Sequence, residues 1–107
     1  MRRTLAGAAA GVLLSALALI PATPAFAAAN GDYTGSGIRI RKCPSTTNCT
    51  IHGLGYRGQG ATITCFKYGQ QVSGSTIWYY HRNRTTGVTG YSHLSGLDYS
   101  SGTVPLC

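Results

Sequence analysis

The sequence contains no glutamate, and Asp32 and Asp98 are its only acidic residues. Catalysis by a pair of carboxylates, as in most glycoside hydrolases, is therefore nearly excluded. A Ser-His-Asp site would need Asp98 to orient one of the three histidines, and no nucleophile-elbow motif is present. We expect a protein that is not an enzyme and has no catalytic residues.

Helical periodicity and metal-ligand spacing are also missing. No segment after residue 27 shows the 3.6-residue apolar repeat of an amphipathic helix. Cys43 and Cys49 are separated by five residues, which is wider than the usual spacing of the first two zinc ligands. We expect neither a bound metal nor a cofactor.

Residues 1–27 have the composition of a secretory signal peptide. Two arginines precede an apolar run over residues 5–20, and a small-x-small cleavage pattern ends at Ala27. The run is shorter than the roughly 20 residues that a membrane-spanning helix needs. Cleavage after Ala27 would leave 80 of the 107 residues, and cleavage after Ala29 is an alternative. We expect secretion, with no membrane association after cleavage.

All four cysteines lie after this signal. An even number of cysteines in a small secreted chain predicts disulfides, here two, and four cysteines allow three pairings. A domain of this size has a small core and gains a large part of its stability from such cross-links.

Short segments with period-two alternation, separated by turn residues, predict an all-β domain of five strands. These segments are residues 38–41, 50–54, 61–67, 77–82 and 88–93. The small and polar residues 28–36 predict a flexible N-terminal arm. The predicted core is Ile38, Ile40, Ile51, Leu54, Ile63, Ile77 or Tyr79, Val88, Leu94 and Leu97.

Four stretches carry a resemblance to a known family: "GIRIRKCPST", "IHGLGYRGQGATITC", "GQQVSGSTIWYY" and "TGVTGYSHL". In this order they resemble the bacterial SH3-like (SH3b) domains of secreted actinobacterial proteins, over about residues 37–97. The resemblance implies a small five-stranded SH3-like barrel that, with its C-terminal tail, occupies residues 37–107.

The chain departs from the family pattern at two cysteines. Cys43 replaces the usual glycine before Pro44, and the chain continues past the last strand to Cys107. These departures suggest a Cys43–Cys49 disulfide that clamps the first loop. They also suggest a Cys65–Cys107 disulfide that anchors the tail.

The resemblance also implies a binding site, because related SH3b domains hold a peptide in a groove between the first loop and the tryptophan-bearing strand. The corresponding wall is Ser45, Thr46, Thr47 and Asn48, and the aromatic floor is Tyr56, Trp78, Tyr80 and Tyr91. The implied ligand is a peptidoglycan stem or cross-bridge peptide. The Cys43–Cys49 disulfide would then also pre-organise one wall of the groove.

Positive charge is the remaining feature. The net charge of +7 becomes +5 once the two arginines of the signal are removed. A basic patch is formed by Arg39, Arg41 and Lys42. It is either an ordinary solvated surface or a surface that attracts anionic wall polymers. We expect a monomeric, stand-alone module, extracellular or associated with the cell wall, that does not bind nucleic acid. The alternative is a small secreted cationic effector, either an antimicrobial protein or an inhibitor.

Overall fold

The computed structural model describes residues 28–107, so the predicted signal peptide lies outside the described residues. Seven strands form one antiparallel sheet that curls into a half-barrel. They are β1 (Ala29–Tyr33), β2 (Ile38–Arg41), β3 (Ile51–Gly55), β4 (Ala61–Val72), β5 (Ser75–Asn83), β6 (Thr89–His93) and β7 (Leu97–Gly102). Their order across the sheet is β3-β2-β6-β5-β4-β1-β7. The all-β class is confirmed, whereas the predicted number of five strands is wrong.

The two additional strands are β1 and β7, which pair with each other. The prediction of a flexible arm at residues 28–36 is therefore corrected, because β1 lies in the sheet between β4 and β7. Ala29 and Tyr33, at its two ends, are each only 1% exposed. The intervening Asn-Gly-Asp residues have low strand propensity, so the local pattern underestimates a strand that is held by its neighbours.

The hairpin of β4 and β5 is longer than predicted. The turn between them is the dipeptide Ser73-Gly74, in which both residues have positive φ angles, of 48° and 86°. A two-residue turn of this kind matches the twist of the flanking strands, so pairing begins directly at Val72 and Ser75. Residues 68–72, predicted as loop, therefore extend β4 beyond the body of the sheet.

A single cluster of buried apolar side chains forms the core. It is formed by Ala29, Tyr33, Ile40, Ala61, Ile63, Tyr79 and Leu97. Ile38, Ile77, Val88 and Leu94, also predicted as core, are partly buried against this cluster. The burial of these apolar side chains is the main favourable contribution to folding.

Two predicted core residues, Ile51 and Leu54, are instead 45% and 40% exposed. They lie on β3, which is an edge strand of the sheet. On this strand the positions nearest the core are glycines: a Cβ on Gly55 would meet the ring of Tyr33, and one on Gly53 would meet Val88. Large side chains from other strands occupy the inner side of β3, so its own aliphatic residues remain near solvent.

Two disulfides join Cys43 to Cys49 and Cys65 to Cys107, the pairs expected from the sequence. The second disulfide holds the C-terminal segment against β4. There the N–H of Phe66 donates to Pro105 O, and the N–H of Cys107 donates to Phe66 O, both at 2.9 Å. Within residues 28–107, no helix combines the length and the hydrophobicity needed to span a bilayer.

Candidate ligand-binding groove

A groove of about 180 Å³ lies between the first loop, residues 43–49, and residues of strands β2, β4, β5 and β6. Its lining is Gly37, Ile38, Arg39, Arg41, Thr46, Val72, Trp78, His93, Ser95 and Gly96. Of the eight residues predicted for the ligand site, Thr46 and Trp78 line this groove. The fully buried Ile40 faces the core, so its neighbours Arg39 and Arg41 are directed to the opposite face.

Trp78 forms the floor of the groove but is only 1% exposed. It lies outside the main core, because alternation along β5 places the core residue Tyr79 on the other face. Its indole Nε1–H donates to Gln70 O at 2.8 Å, and its ring packs edge-on against His93 with 5.2 Å between centroids. Trp78 is therefore held rigidly beneath the groove, with almost none of its ring exposed.

Gln70 connects the first loop to this floor, a role that no motif in the sequence indicates. Its Oε1 accepts hydrogen bonds from Ser45 Oγ at 3.0 Å, Thr46 N at 2.8 Å and Thr46 Oγ1 at 3.0 Å. Its backbone N–H donates to Pro44 O at 3.0 Å, while its own carbonyl holds Trp78. One residue at the extended end of β4 thus positions both a wall and the floor of the groove.

Gly69 allows the first loop to approach β4 closely. A Cβ at this position would lie 2.6 Å from Pro44 Cβ and 3.0 Å from Trp78 Cδ1. We predict that Gly69→Ala displaces the loop and lowers the free energy of unfolding by about 1–3 kcal/mol, the usual cost of overpacking. Chemical denaturation measures this change.

Gly35→Ala is the matched control, because a Cβ at Gly35 meets no atom within 4 Å. That variant should keep the stability of the parent protein. Equal stabilities for the two variants would contradict the close packing of the loop against β4.

The other predicted wall residues lie in the first loop without lining the groove. Ser45 Oγ accepts a hydrogen bond from Thr47 N at 3.1 Å, which shapes the loop from within. Asn48 is exposed and has a positive φ angle of 51°, a conformation that asparagine tolerates better than most residues. Ser45 and Thr47 therefore support the wall, and Asn48 turns the chain toward Cys49.

Two of the predicted floor residues form a separate aromatic pair. Tyr80 and Tyr91 are cross-strand partners on β5 and β6 and pack edge-on, with 5.1 Å between ring centroids. The ammonium of Lys67 lies 5.7 Å from the centre of the Tyr91 ring, within the range of a cation–π contact. Arg41 pairs with Tyr91 across β2 and β6, so this aromatic pair adjoins the groove at Arg41.

Tyr56, the remaining predicted floor residue, is not part of the groove lining. It follows the end of β3, where its backbone N–H donates to Gln59 Oε1 at 2.9 Å in the turn before β4. Its side chain is 43% exposed. The structure does not bring Tyr56 together with the other predicted site residues.

Charge in the groove is positive and comes from Arg39 and Arg41. Partial desolvation, followed by the neighbouring charge of Arg39, lowers the pKa of Arg41 from its usual value. No aspartate lines the groove. The alternation of "IRIR" in the sequence was sufficient to place both arginines on the outer face, but gave no indication that they border a groove.

Both aspartates line a second cavity, of about 320 Å³, between β1 and β7. The Asp32 carboxylate accepts hydrogen bonds from the N–H groups of Gly58 at 2.8 Å and Gly60 at 3.0 Å. Desolvation raises the pKa of this carboxylate, but its backbone hydrogen bonds and the nearby charge of Arg57 together outweigh that effect, and the net shift is downward. Arg84, on the same cavity, donates to Ala61 O at 2.8 Å. Asp32 and Arg84 therefore stabilise the turn between β3 and β4.

The groove therefore combines the positive charge of Arg39 and Arg41 with the hydroxyl groups of Thr46 and Ser95. Among residues 28–107, no group of three or more His, Cys, Asp or Glu side chains is placed to hold a metal ion. No protein-family model, curated protein or solved structure matches this chain.

Proposed function

We propose that this protein is a secreted, non-enzymatic binding module of the bacterial SH3-like type that recognises peptides of the cell wall. The observation that carries the proposal is the groove between the first loop and β5, which contains Thr46 on one side and Trp78 as its floor. The ligand class and the SH3-like assignment rest on the sequence resemblance. Two disulfides and the signal-like first 27 residues are compatible with an extracellular location.

The rigidity of the groove also favours a binding role. The first loop is closed by the Cys43–Cys49 disulfide and fixed to β4 through Gln70. Trp78 is held by a hydrogen bond and an aromatic contact. A pre-formed site loses little conformational entropy when a ligand binds, which supports affinity even for a small contact area.

Co-sedimentation with purified peptidoglycan tests this proposal. We expect the disulfide-bonded protein to be enriched on the sacculus, and Thr46→Tyr to lose at least roughly tenfold in affinity, because the new ring would fill the groove. Thr103→Tyr is the control, since Thr103 is exposed and does not line the groove.

Absence of the parent protein from the pellet would reject the cell-wall ligand. Equal retention of both tyrosine variants would place the binding surface elsewhere. Growth inhibition of bacteria or fungi without sacculus binding would instead support the alternative, a small cationic effector.

A further inference from the structure

We infer that the groove binds the free carboxylate end of a short peptide, with Arg39 and Arg41 on the carboxylate. This inference rests on the proposed function, because it specifies which part of a wall peptide enters the groove. It differs from recognition of an internal peptide segment without acidic side chains, which would leave the two adjacent cations without an anionic partner.

The first argument is charge. Two guanidinium groups border one small groove, whereas the two carboxylate side chains of the described chain line the other cavity. Like charges side by side repel each other, and an anionic ligand between them relieves that repulsion. The planar guanidinium donates two parallel hydrogen bonds to a carboxylate, which provides direction as well as charge.

The second argument is the orientation of the polar groups around the groove. His93 Nε2 lies 3.0 Å from Ser75 O, and a carbonyl oxygen only accepts, so Nε2 carries the proton. His93 Nδ1 accepts from Ser95 N at 3.2 Å and from Ser95 Oγ–H at 2.8 Å. The Ser95 hydroxyl therefore uses its proton on His93, and its oxygen remains free to accept a hydrogen bond.

The Thr46 hydroxyl is arranged in the same way. Its Oγ1–H donates to Gln70 Oε1 at 3.0 Å, which leaves the oxygen free to accept. The groove thus offers two cationic donors together with two hydroxyl acceptors. The last residue of a peptide has the complementary set, a carboxylate and an amide N–H.

The third argument is size and polarity. A volume of about 180 Å³ is below the range of roughly 300–1,000 Å³ typical of drug-sized ligands, so it suits a single small residue. Ile38, Val72 and Trp78 give the groove an apolar side. A small alkyl side chain next to a carboxylate matches this surface, whereas a phosphodiester between polyols would place hydroxyl groups against it.

The test uses N-acetyl-alanyl-alanine and its C-terminal amide as probes, titrated into the disulfide-bonded protein and followed by NMR. We expect the acid to shift the signals of Arg39, Thr46, Ser95 and the Trp78 indole. We expect the amide to bind at least roughly tenfold more weakly, because hydrogen bonds to a charged group are stronger than those to a neutral one.

The variant Arg39→Gln with Arg41→Gln should weaken binding of the acid at least roughly tenfold. The control is Lys42→Gln with Arg82→Gln, which removes the same charge from two exposed residues outside the groove lining. We expect less than a twofold effect for the control. Unchanged thermal midpoints would show that both variants remain folded.

Equal binding of acid and amide would overturn the inference, and so would equal affinities of the two double variants. If inorganic phosphate shifts the same signals at the same concentration, the carboxylate assignment falls in favour of a phosphodiester polymer. Sacculus binding without binding of the acid would reject this inference alone. Binding of the acid in the groove without sacculus binding would reject the proposed function alone.

Discussion

Replacement of both Cys65 and Cys107 by alanine is expected to lower the free energy of unfolding by about 4 kcal/mol. The disulfide joins residues 42 positions apart, so its loss releases a long loop in the unfolded chain. It also frees the segment that forms hydrogen bonds from Phe66 N to Pro105 O and from Cys107 N to Phe66 O. Urea denaturation of the variant and the parent measures the difference.

The Cys43–Cys49 pair supplies the comparison, because it joins residues only 6 positions apart. In the same chain-entropy description its removal costs about 2 kcal/mol. If removal of the Cys43–Cys49 disulfide lowered the free energy of unfolding more than removal of the Cys65–Cys107 disulfide, the entropic account would be contradicted. It would show instead that the first loop has a larger part in the stability of the fold than its length suggests.

Acidification from pH 6.5 to 4 is expected to lower the free energy of unfolding by about 3 kcal/mol through His81 alone. His81 is 0% exposed, and its burial lowers its pKa from 6.5 to about 4. The unfolded chain therefore binds the proton more readily than the folded chain in this interval. The stabilising contribution is fully present above pH 6.5 and is lost as the pH falls toward the folded-state pKa.

The surroundings of His81 explain the direction of this shift. Nδ1 lies 3.3 Å from Tyr79 O, and the Tyr33 ring packs against the imidazole with 5.6 Å between centroids. Within residues 28–107, Nε2 has no hydrogen-bond partner. A proton on the ring would place a positive charge in a site that offers it little compensation.

His81→Phe should flatten the dependence of stability on pH between 4 and 6.5, since phenylalanine fills similar space and does not titrate. His52→Gln is the control, because His52 is exposed and lies at the edge strand β3. Denaturation at a series of pH values checks both variants. A steep slope that survives in His81→Phe would assign the acid sensitivity to another group.

Local patterns in the sequence were sufficient for the parts of the fold that alternate strongly. "IRIR" and "TIWYYHR" gave strands whose inner residues, such as Ile40 and Tyr79, are buried. The same reasoning failed for β1, because Ala29 and Tyr33 are separated by three weak strand formers and the strand depends on partners distant in sequence. It failed for Ile51 because periodicity does not reveal that a strand lies at a sheet edge.

The candidate site was predictable only in part for a related reason. The resemblance points to the first loop and Trp78. Gln70, in contrast, lies near the end of a hairpin and contacts the first loop through hydrogen bonds to residues 24 to 26 positions away in the sequence. Its role depends on how far β4 extends, and that was set by the Ser73-Gly74 turn. The resemblance also implies Tyr56 as part of the aromatic floor, but its position after β3 separates it from the groove lining.

The burial of Trp78 beneath the first loop has a practical consequence. It is the only tryptophan in the sequence, so the intrinsic fluorescence of the protein reports on the floor of the groove. An indole that is 1% exposed emits at short wavelength, and movement of the loop away from Gln70 would admit water and shift the emission to the red. The protein thus carries its own optical probe for the state of its first loop.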